Sequence, residues 1–169
     1  MSLQDAITSN NITRERLRDI VAKMNDADLA RDLGGGWTVA AMLAHLAYYD
    51  FRAVAMFDQW RRTGEVTASP LDAEITNRAM LPLALNVAPR TAARLALEAA
   101  EAADSCVAEL ELDPDLLEKI EAAGDVNLRL DRGHHRQEHV RQIEQALVTR
   151  QRTDRPPLVR TRMKAPKKR

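Results

Sequence analysis

The chain has 169 residues, of which 45% are hydrophobic, 30% charged and 4% aromatic. Such a composition is typical of a soluble folded domain and excludes the disordered and membrane-spanning classes. The formal net charge of zero is unevenly distributed: residues 150–169 hold nine Lys or Arg and one acid, so residues 1–149 carry a net charge of −8. The single cysteine, Cys106, excludes an intramolecular disulfide, indicates a reducing compartment and is expected to pack as a small hydrophobic residue.

Alanine and leucine are abundant, and the apolar residues recur at helical spacing, so we predict an all-α fold. The first predicted helix has Thr13 as its N-cap and ends before the glycines at 34–36. Four apolar residues mark its buried face: Leu17, Ile20, Val21 and Met24. Thr38 then caps a long second helix, VAAMLAHLAYYDFRAVAMFDQWRR, which stops at Gly64.

Prolines interrupt the pattern from residue 65 to about residue 89, where we expect only a short helix around DAEITNRAM. This stretch is long enough to cross between helices that are not neighbours. A third long helix, TAARLALEAAEAADSCVAELEL, starts behind Pro89, and a short helix, PDLLEKIEAAG, starts at Pro114. The fourth long helix is predicted from residue 126 to residue 150.

The pattern contains no convincing strand, and its four long helices predict a four-helix bundle with a long crossover connection between the second and third. Gly133 conflicts with the last helix, because glycine in a helix interior costs about 1 kcal/mol relative to alanine. That helix should therefore begin or bend near Gly133. Residues 1–150 form the predicted bundle domain, and the basic residues 151–169 are expected to form a flexible tail.

The N-terminus MSLQDAITSNN lacks the basic start and apolar core of a signal peptide. No apolar run approaches the roughly 20 residues that span a bilayer, so we expect a cytoplasmic location and no membrane partner. The acidic body disfavours phosphate backbones, so a nucleic-acid partner is not expected. The tail alone could contact nucleic acid, another anionic surface or the acidic body.

Three of the four histidines lie in the run GHHRQEHVRQIEQAL of the last helix. His135 and His139 are four residues apart and stand on one helix face, the spacing by which a helix offers two imidazoles to one metal ion. Ile143 and Leu147 continue this face, so both rings point into the bundle, where an imidazole must be hydrogen-bonded or bind something. His134 is rotated by about 100° and is expected at the surface.

The fourth histidine, His45, lies in the second helix, in the run GWTVAAMLAHLAYYD. From spacing alone, a hydrogen-bonded core histidine is the simpler interpretation of His45. An HxxxH pair such as His135 and His139 is likewise often a packing or surface pair. The residues by themselves therefore leave metal binding and plain packing open.

Three segments, GWTVAAMLAHLAYYD, DAEITNR and HHRQEHVRQIEQAL, resemble the DinB-like superfamily in order and spacing, over roughly residues 12 to 150. The resemblance implies a four-helix bundle that holds one divalent metal ion with three histidines, one from the second helix and two from the fourth. The matching positions are His45, His135 and His139, and all three are histidine. Three neutral imidazoles leave a zinc or nickel ion an open position, which is typical of a catalytic site.

Five further residues are candidates for the surroundings of the metal or for substrate contacts: Tyr49, Arg52, Asn77, Asp131 and Gln142. Asp131 and Gln142 lie one turn outside the ligands on the last helix, where each could orient a ligand ring or simply be solvated. Arg52 could pair with an anionic substrate or extend along the surface. Asn77 matches a position where the family often has a polar residue, and Trp37 is expected to pack at the start of the second helix.

The resemblance implies a metal-dependent enzyme. Characterised members include S-transferases and isomerases that use a low-molecular-weight thiol as cosubstrate, and some hydrolases, so the expected substrates are small electrophilic molecules. Two alternatives stay open: a non-catalytic metal-binding stress-response protein, and a nucleic-acid accessory protein that acts through the tail. We also expect a homodimer, formed through an exposed apolar helix face.

Overall fold

The computed structural model describes residues 1–126 and 128–153, the last five of them by their backbone only. The predicted tail lies outside the described residues from 154 onward, and residues 151–153 continue the last helix. The described part is mostly helical, which confirms the all-α prediction, and none of its helices is both long and apolar enough to cross a membrane. The helices are α1 (Leu3–Lys23), α2 (Asp26–Leu29), α3 (Val39–Thr63), α4 (Ala73–Leu85), α5 (Pro89–Ala108), α6 (Pro114–Ala123) and α7 (Arg132–Thr153), with a 3-10 helix at Glu109–Leu112.

The start of α1 differs from the prediction, which placed the N-cap at Thr13. Ser2 is the N-cap: its hydroxyl accepts a hydrogen bond from the N–H of Asp5 at 3.1 Å, and the Asp5 carboxylate accepts one from the N–H of Ser2 at 3.0 Å. Thr13 is buried within α1, where its hydroxyl donates to the carbonyl of Ser9 at 3.0 Å. The prediction was wrong because this reciprocal cap extends the helix through polar residues that have weak helix propensity.

A small hairpin lies between α2 and α3, where the pattern predicted no strand. Its antiparallel strands are β1 (Asp32–Gly34) and β2 (Trp37–Thr38), joined through residues 34–36, all glycines with positive φ. Glycine adopts this left-handed backbone without strain. Thr38 then caps α3 as predicted, accepting from a backbone N–H of the first turn at 3.1 Å, and Gly64 ends α3 with a φ of 73°.

The connection after α3 contains a longer helix than predicted. α4 begins after Asp72, whose carboxylate accepts a hydrogen bond from the N–H of Ile75 at 2.9 Å, and it includes Pro82. It packs against α3 and β2, which brings Asn77 beside the first half of α3. α5 then begins with Pro89 in its first turn, where the missing N–H of proline has no intrahelical partner to lose.

α7 begins at Arg132 rather than at residue 126, which confirms the expectation that Gly133 marks its start. Residues 128–131 precede it without helical structure. Asp131 accepts a hydrogen bond from the N–H of His134 at 3.1 Å, and so occupies the capping position of this helix. In the sequence, the apolar residues just before Asp131 have the spacing of a helix. In the structure they form an irregular segment that packs against the rest of the core.

Gly133 explains why α7 starts where it does. A Cβ at this position would lie 2.6 Å from the hydroxyl oxygen of Ser9 and 2.7 Å from its carbonyl oxygen, so only glycine lets α1 approach this closely. Asn10 of α1 bonds the same turn: its side chain accepts from the N–H of Gly133 at 2.8 Å and donates to the carbonyl of Leu130 at 2.9 Å. The crossing of α1 and α7 therefore fixes the start of the histidine-bearing helix.

The four long helices contact one another in a cyclic order: α1 with α5, α5 with α3, α3 with α7, and α7 with α1. Two clusters of buried apolar side chains fill the space between them. The larger cluster includes Leu17, Leu43, Leu46, Val140 and Ile143. The smaller cluster involves the second half of α3, where Phe57 and Trp60 pack with residues of α5 and α6. Cys106 is buried in this cluster, as predicted, and burial raises the pKa of its thiol.

A candidate three-histidine metal centre

The structure brings together the three histidines that the sequence singles out. His45 is buried in the first half of α3, and α7 presents His135 and His139 from one face. One nitrogen from each ring lies within 4.8 Å of the other two. The Nε2 atoms of His45 and His135 are 3.1 Å apart, and the His139 ring centroid lies 4.7 Å and 4.8 Å from those of His45 and His135. These three residues could hold a metal ion.

The distances between the rings fit a shared ion. Two imidazole nitrogens that bind one tetrahedral ion at ordinary zinc–nitrogen distances stand about 3.3 Å apart. The 3.1 Å separation of the Nε2 atoms of His45 and His135 is close to this value. A donor set of imidazoles alone suits zinc, nickel, copper or iron rather than magnesium or calcium, which prefer oxygen.

The electrostatics of the site keep its two most buried rings neutral. Burial lowers the pKa of His45 to about 3 and the pKa of His135 to about 2, and the neighbouring His139 acts in the same direction on both. A neutral imidazole has a free lone pair on one ring nitrogen, which is the form that binds a metal ion. At neutral pH, metal binding at His45 and His135 therefore requires no loss of a proton.

Gln142 fixes the orientation of His139. Its side-chain oxygen lies 3.0 Å from Nδ1 of His139, one turn away on α7. Because an amide oxygen only accepts, this contact places a hydrogen on Nδ1 of His139, and the lone pair of the neutral ring is then on Nε2. The Nδ1 atoms of His45 and His135 are buried, and among the described residues neither has a hydrogen-bond partner.

Aromatic rings form one wall of the site. The Tyr49 ring centroid lies 4.8 Å from that of His45 and 5.1 Å from that of His135, and its hydroxyl donates to the side-chain oxygen of Asn77 at 3.0 Å. Burial raises the pKa of Tyr49, so the residue remains a phenol at neutral pH. Trp37, expected only to pack at the start of α3, also meets His45 edge-on, with ring centroids 5.6 Å apart.

Two of the predicted surrounding residues contact other parts of the chain. Arg52 donates to the carbonyl of Ser69 and lines a different cavity, next to Trp60. The Asp131 carboxylate accepts from the hydroxyl of Ser9 at 2.8 Å as well as from the first turn of α7, so it joins α1 to α7, although the residue also borders a cavity that the three histidines share. His134 is exposed, as predicted.

The histidines lie between two cavities. The larger, of about 560 Å³, is bordered by Trp37, Met42 and Asp32 in addition to His45 and His139. The smaller, of about 430 Å³, is bordered by all three histidines and by charged residues that include Arg129, Arg132 and Glu138. Asn77 borders both cavities. Small molecules can therefore reach the imidazoles from one side lined by Trp37, Met42 and a single acid, and from another lined by several charged residues.

The buried charged residues that pack next to the histidines were not predicted from the sequence. Asp50 of α3 is 1% exposed and accepts from Arg132 and Arg136 of α7, both of which are buried. A pattern of apolar residues assigns such charges to solvent. The sequence contains one signal for them: Arg132 and Arg136 are four residues apart, on one helix face beside the HxxxH pair.

No protein-family model, curated protein or solved structure matches the chain. The resemblance to the DinB-like superfamily thus rests on the three sequence segments that carry it and stays a prediction.

Proposed function

We propose that the chain is a metal-dependent enzyme of the DinB-like superfamily, in which His45, His135 and His139 hold one zinc or nickel ion with an open position. The observation that carries this proposal is the convergence of three imidazoles from two helices, two of them held neutral by burial. Three protein ligands are the usual number at a catalytic zinc site, whereas structural zinc sites use four. No cysteine joins the described group.

We place this site in a four-helix bundle of α1, α3, α5 and α7, with residues 64–88 as the crossover between the second and third of these helices. The cyclic contacts of the four helices support this arrangement, as do the positions of the two histidine-bearing helices as neighbours. Sites between facing helices are the common location of metal centres in bundles. In this arrangement α4 covers the site and places Asn77 at the edge of the larger cavity.

An ion bound here would supply Lewis acidity to a group at its open position. The residues of the chain would bind and orient the substrate. The Tyr49 hydroxyl, by donating to the side-chain oxygen of Asn77, leaves the amide N–H groups of Asn77 available to donate to an oxygen that gains negative charge at the edge of the smaller cavity. Trp37 and Met42 offer an apolar surface to the body of a substrate in the larger cavity.

The two cavities support a reaction between two small molecules. Volumes of about 560 Å³ and 430 Å³ are in the range of sites for small ligands. We extend the proposal to transfer or isomerisation with a low-molecular-weight thiol on one side of the histidines and a small electrophile on the other, with hydrolysis as the alternative reaction. The expected homodimer and the tail's partners stay predictions.

Metal stoichiometry tests the site. The protein is purified without added metal, loaded with zinc and analysed for bound metal beside the variants His45→Ala, His139→Ala and His134→Ala. We expect one ion per chain in the wild type and in His134→Ala, and loss of the ion in the other two with the fold retained. Equal metal content in all four proteins would overturn the proposed site.

The cobalt-loaded protein separates an enzyme from a structural metal protein. An open position lets azide bind and change the visible absorption spectrum of Co²⁺. A spectrum that azide leaves unchanged, together with unfolding on metal removal, would favour a metal ion that only stabilises the bundle.

A further inference from the structure

α7 carries a second pair of residues four positions apart, directly beside the histidine pair. Arg132 and Arg136 have side chains that are 9% and 0% exposed. The Nε atoms of both donate to one carboxylate: Oδ1 of Asp50 lies 3.0 Å from Arg132, and Oδ2 lies 2.7 Å from Arg136. Asp50 is 1% exposed and follows His45 by five residues on α3. Asp50 of α3, the helix of His45, thus binds two successive turns of α7, the helix of His135 and His139.

The contact between Arg132 and α3 also includes Tyr49, whose ring lines the histidine site. Arg132 donates a further hydrogen bond to the backbone carbonyl of Tyr49 at 3.3 Å. The Tyr49 ring packs on both His45 and His135. Arg132 therefore joins α7 to α3 at Tyr49 and at its neighbour Asp50, directly beside the rings that line the site.

A second part of the network extends to the other two long helices. The Arg136 guanidinium lies 2.8 Å from Asp104 of α5 and donates to the carbonyl of Ala100 at 3.2 Å. Arg14 of α1 donates to the other oxygen of Asp104 at 3.0 Å. Burial alone disfavours the charge of Arg136, but Asp50 and Asp104 outweigh it and raise the pKa of this residue. The network thus has a near half, which joins α3 to α7, and a far half, which joins α7 through Asp104 to α5 and α1.

Stability alone is a weak reason for burying such charges. Removing charged groups from water costs several kcal/mol per ion, and apolar side chains of the same volume often stabilise a fold as well or better. What a carboxylate bound to two guanidinium groups does supply is directed geometry. Two bonds one turn apart determine both the rotation of α7 about its axis and its position along α3.

We propose that Asp50 is a positioning residue of the metal centre, because its bonds to Arg132 and Arg136 set the placement of α7 at which His135 and His139 meet His45. The far half, through Asp104, contributes to stability but not to the alignment of the histidines. This inference rests on the proposed metal site and concerns what holds its ligands in place.

Matched variants separate alignment from stability. Asp50→Asn and Asp104→Asn make the same chemical change at two buried carboxylates of one network, and Arg132→Met breaks only the near half. Each protein is examined by urea unfolding, by zinc affinity in competition with a chelator, and by the visible spectrum of the cobalt-loaded form. Affinity is measured without urea, where circular dichroism shows the variant to be folded.

We expect both Asn variants to unfold at lower urea concentrations. Only Asp50→Asn and Arg132→Met should lose zinc affinity, by roughly 10- to 100-fold, as is typical when a group that orients metal ligands is removed. Their cobalt spectra should change in band position or intensity, which a loss of stability alone does not produce. Asp104→Asn should keep the wild-type spectrum and an affinity within about threefold of the wild type.

Wild-type affinity and spectrum in both near-half variants would overturn the inference while leaving the metal site intact. An equal loss in Asp104→Asn would also overturn it, because the network would then act as a whole on stability. If Asp50→Asn does not fold, Arg132→Met decides: weakened binding supports the inference and unchanged binding overturns it. A wild-type chain that binds no zinc would overturn the proposed function, and this inference with it.

Discussion

The first half of α3 buries His45 and Asp50 among apolar side chains, whereas its second half buries only apolar side chains and one indole, those of Ala53, Met56, Phe57 and Trp60. Burial of apolar area favours folding in proportion to the area removed from water. Buried imidazoles and carboxylates favour it only where their partners offset the cost of leaving water. One helix thus combines a region whose buried side chains serve stability with a region that in addition arranges buried polar groups, and the two should respond differently to substitution.

The largest effect on stability is expected in the second half of α3. Trp60 is 1% exposed, and its indole N–H donates to the carbonyl of Thr67 at 3.1 Å. Trp60→Ala should lower the free energy of unfolding by about 3–5 kcal/mol, since it leaves a large cavity. Urea unfolding measures this loss, and zinc affinity of the folded fraction should stay at the wild-type value. A large drop in affinity would show that the two regions are not independent.

An intermediate effect is expected at the start of α7. Gly133→Ala places a Cβ 2.7 Å from the carbonyl oxygen of Ser9, so α7 must shift away from α1. We expect a loss of about 1–3 kcal/mol in the free energy of unfolding, as for overpacked sites. The shift should also weaken zinc binding, because His135 lies two residues away. Arg141→Ala, at an exposed position of the same helix that borders neither of the two cavities, is the control for both measurements.

Acid should destabilise the polar region specifically. In the folded, metal-free chain burial lowers the pKa of His45 to about 3 and that of His135 to about 2, while unfolded histidine titrates near 6.5. Between these values the unfolded state binds more protons, so this contribution to stability is complete above about pH 6.5 and is lost as the pH falls toward 3. Each histidine should lower the free energy of unfolding by about 1 kcal/mol between pH 6.5 and pH 5.5.

Urea unfolding at these two pH values, without metal, checks the acid effect. The double variant His45→Gln and His135→Gln should lose about 2 kcal/mol less than the wild type over the interval. His134→Gln, which changes an exposed histidine of the same helix, should keep the wild-type difference. The same pH dependence in all three proteins would contradict the burial of neutral rings.

The two regions also differ in how far the sequence alone could predict them. Local rules place Thr38 and Gly64 at the ends of α3, because a cap and a left-handed glycine act within one turn. The HxxxH spacing brings His135 and His139 to one face in the same way. Gly133 marks the start of α7 to within one residue, but the reason for a glycine there could not be predicted by local rules, because it lies in Ser9 and Asn10, more than 120 residues earlier in the chain.

Buried charged residues are the second feature that hydrophobic periodicity could not predict. Such a pattern assigns Asp50 and Arg136 to solvent, and their burial is tolerable because they pair with each other and with Arg132 and Asp104. Likewise, Trp37 reaches His45 only because the hairpin at residues 34–36 turns the chain back onto α3. Local spacing thus identifies candidate ligands, whereas long-range contacts decide what surrounds them.

The smallest expected effect is spectroscopic and uses the two tryptophans of the chain, one near each region. The Trp37 ring centroid lies 5.6 Å from that of His45, whereas Trp60 packs in the apolar second half of α3. A paramagnetic ion such as Co²⁺ at the histidines should therefore quench mainly the fluorescence of Trp37. Titration of cobalt should quench Trp60→Phe strongly and Trp37→Phe weakly, with little change in stability in the second variant because Trp37 is only half-buried. Equal quenching in both variants would place the ion away from His45, and the polar half of α3 would then be a region of buried hydrogen bonds and ion pairs rather than part of a metal centre.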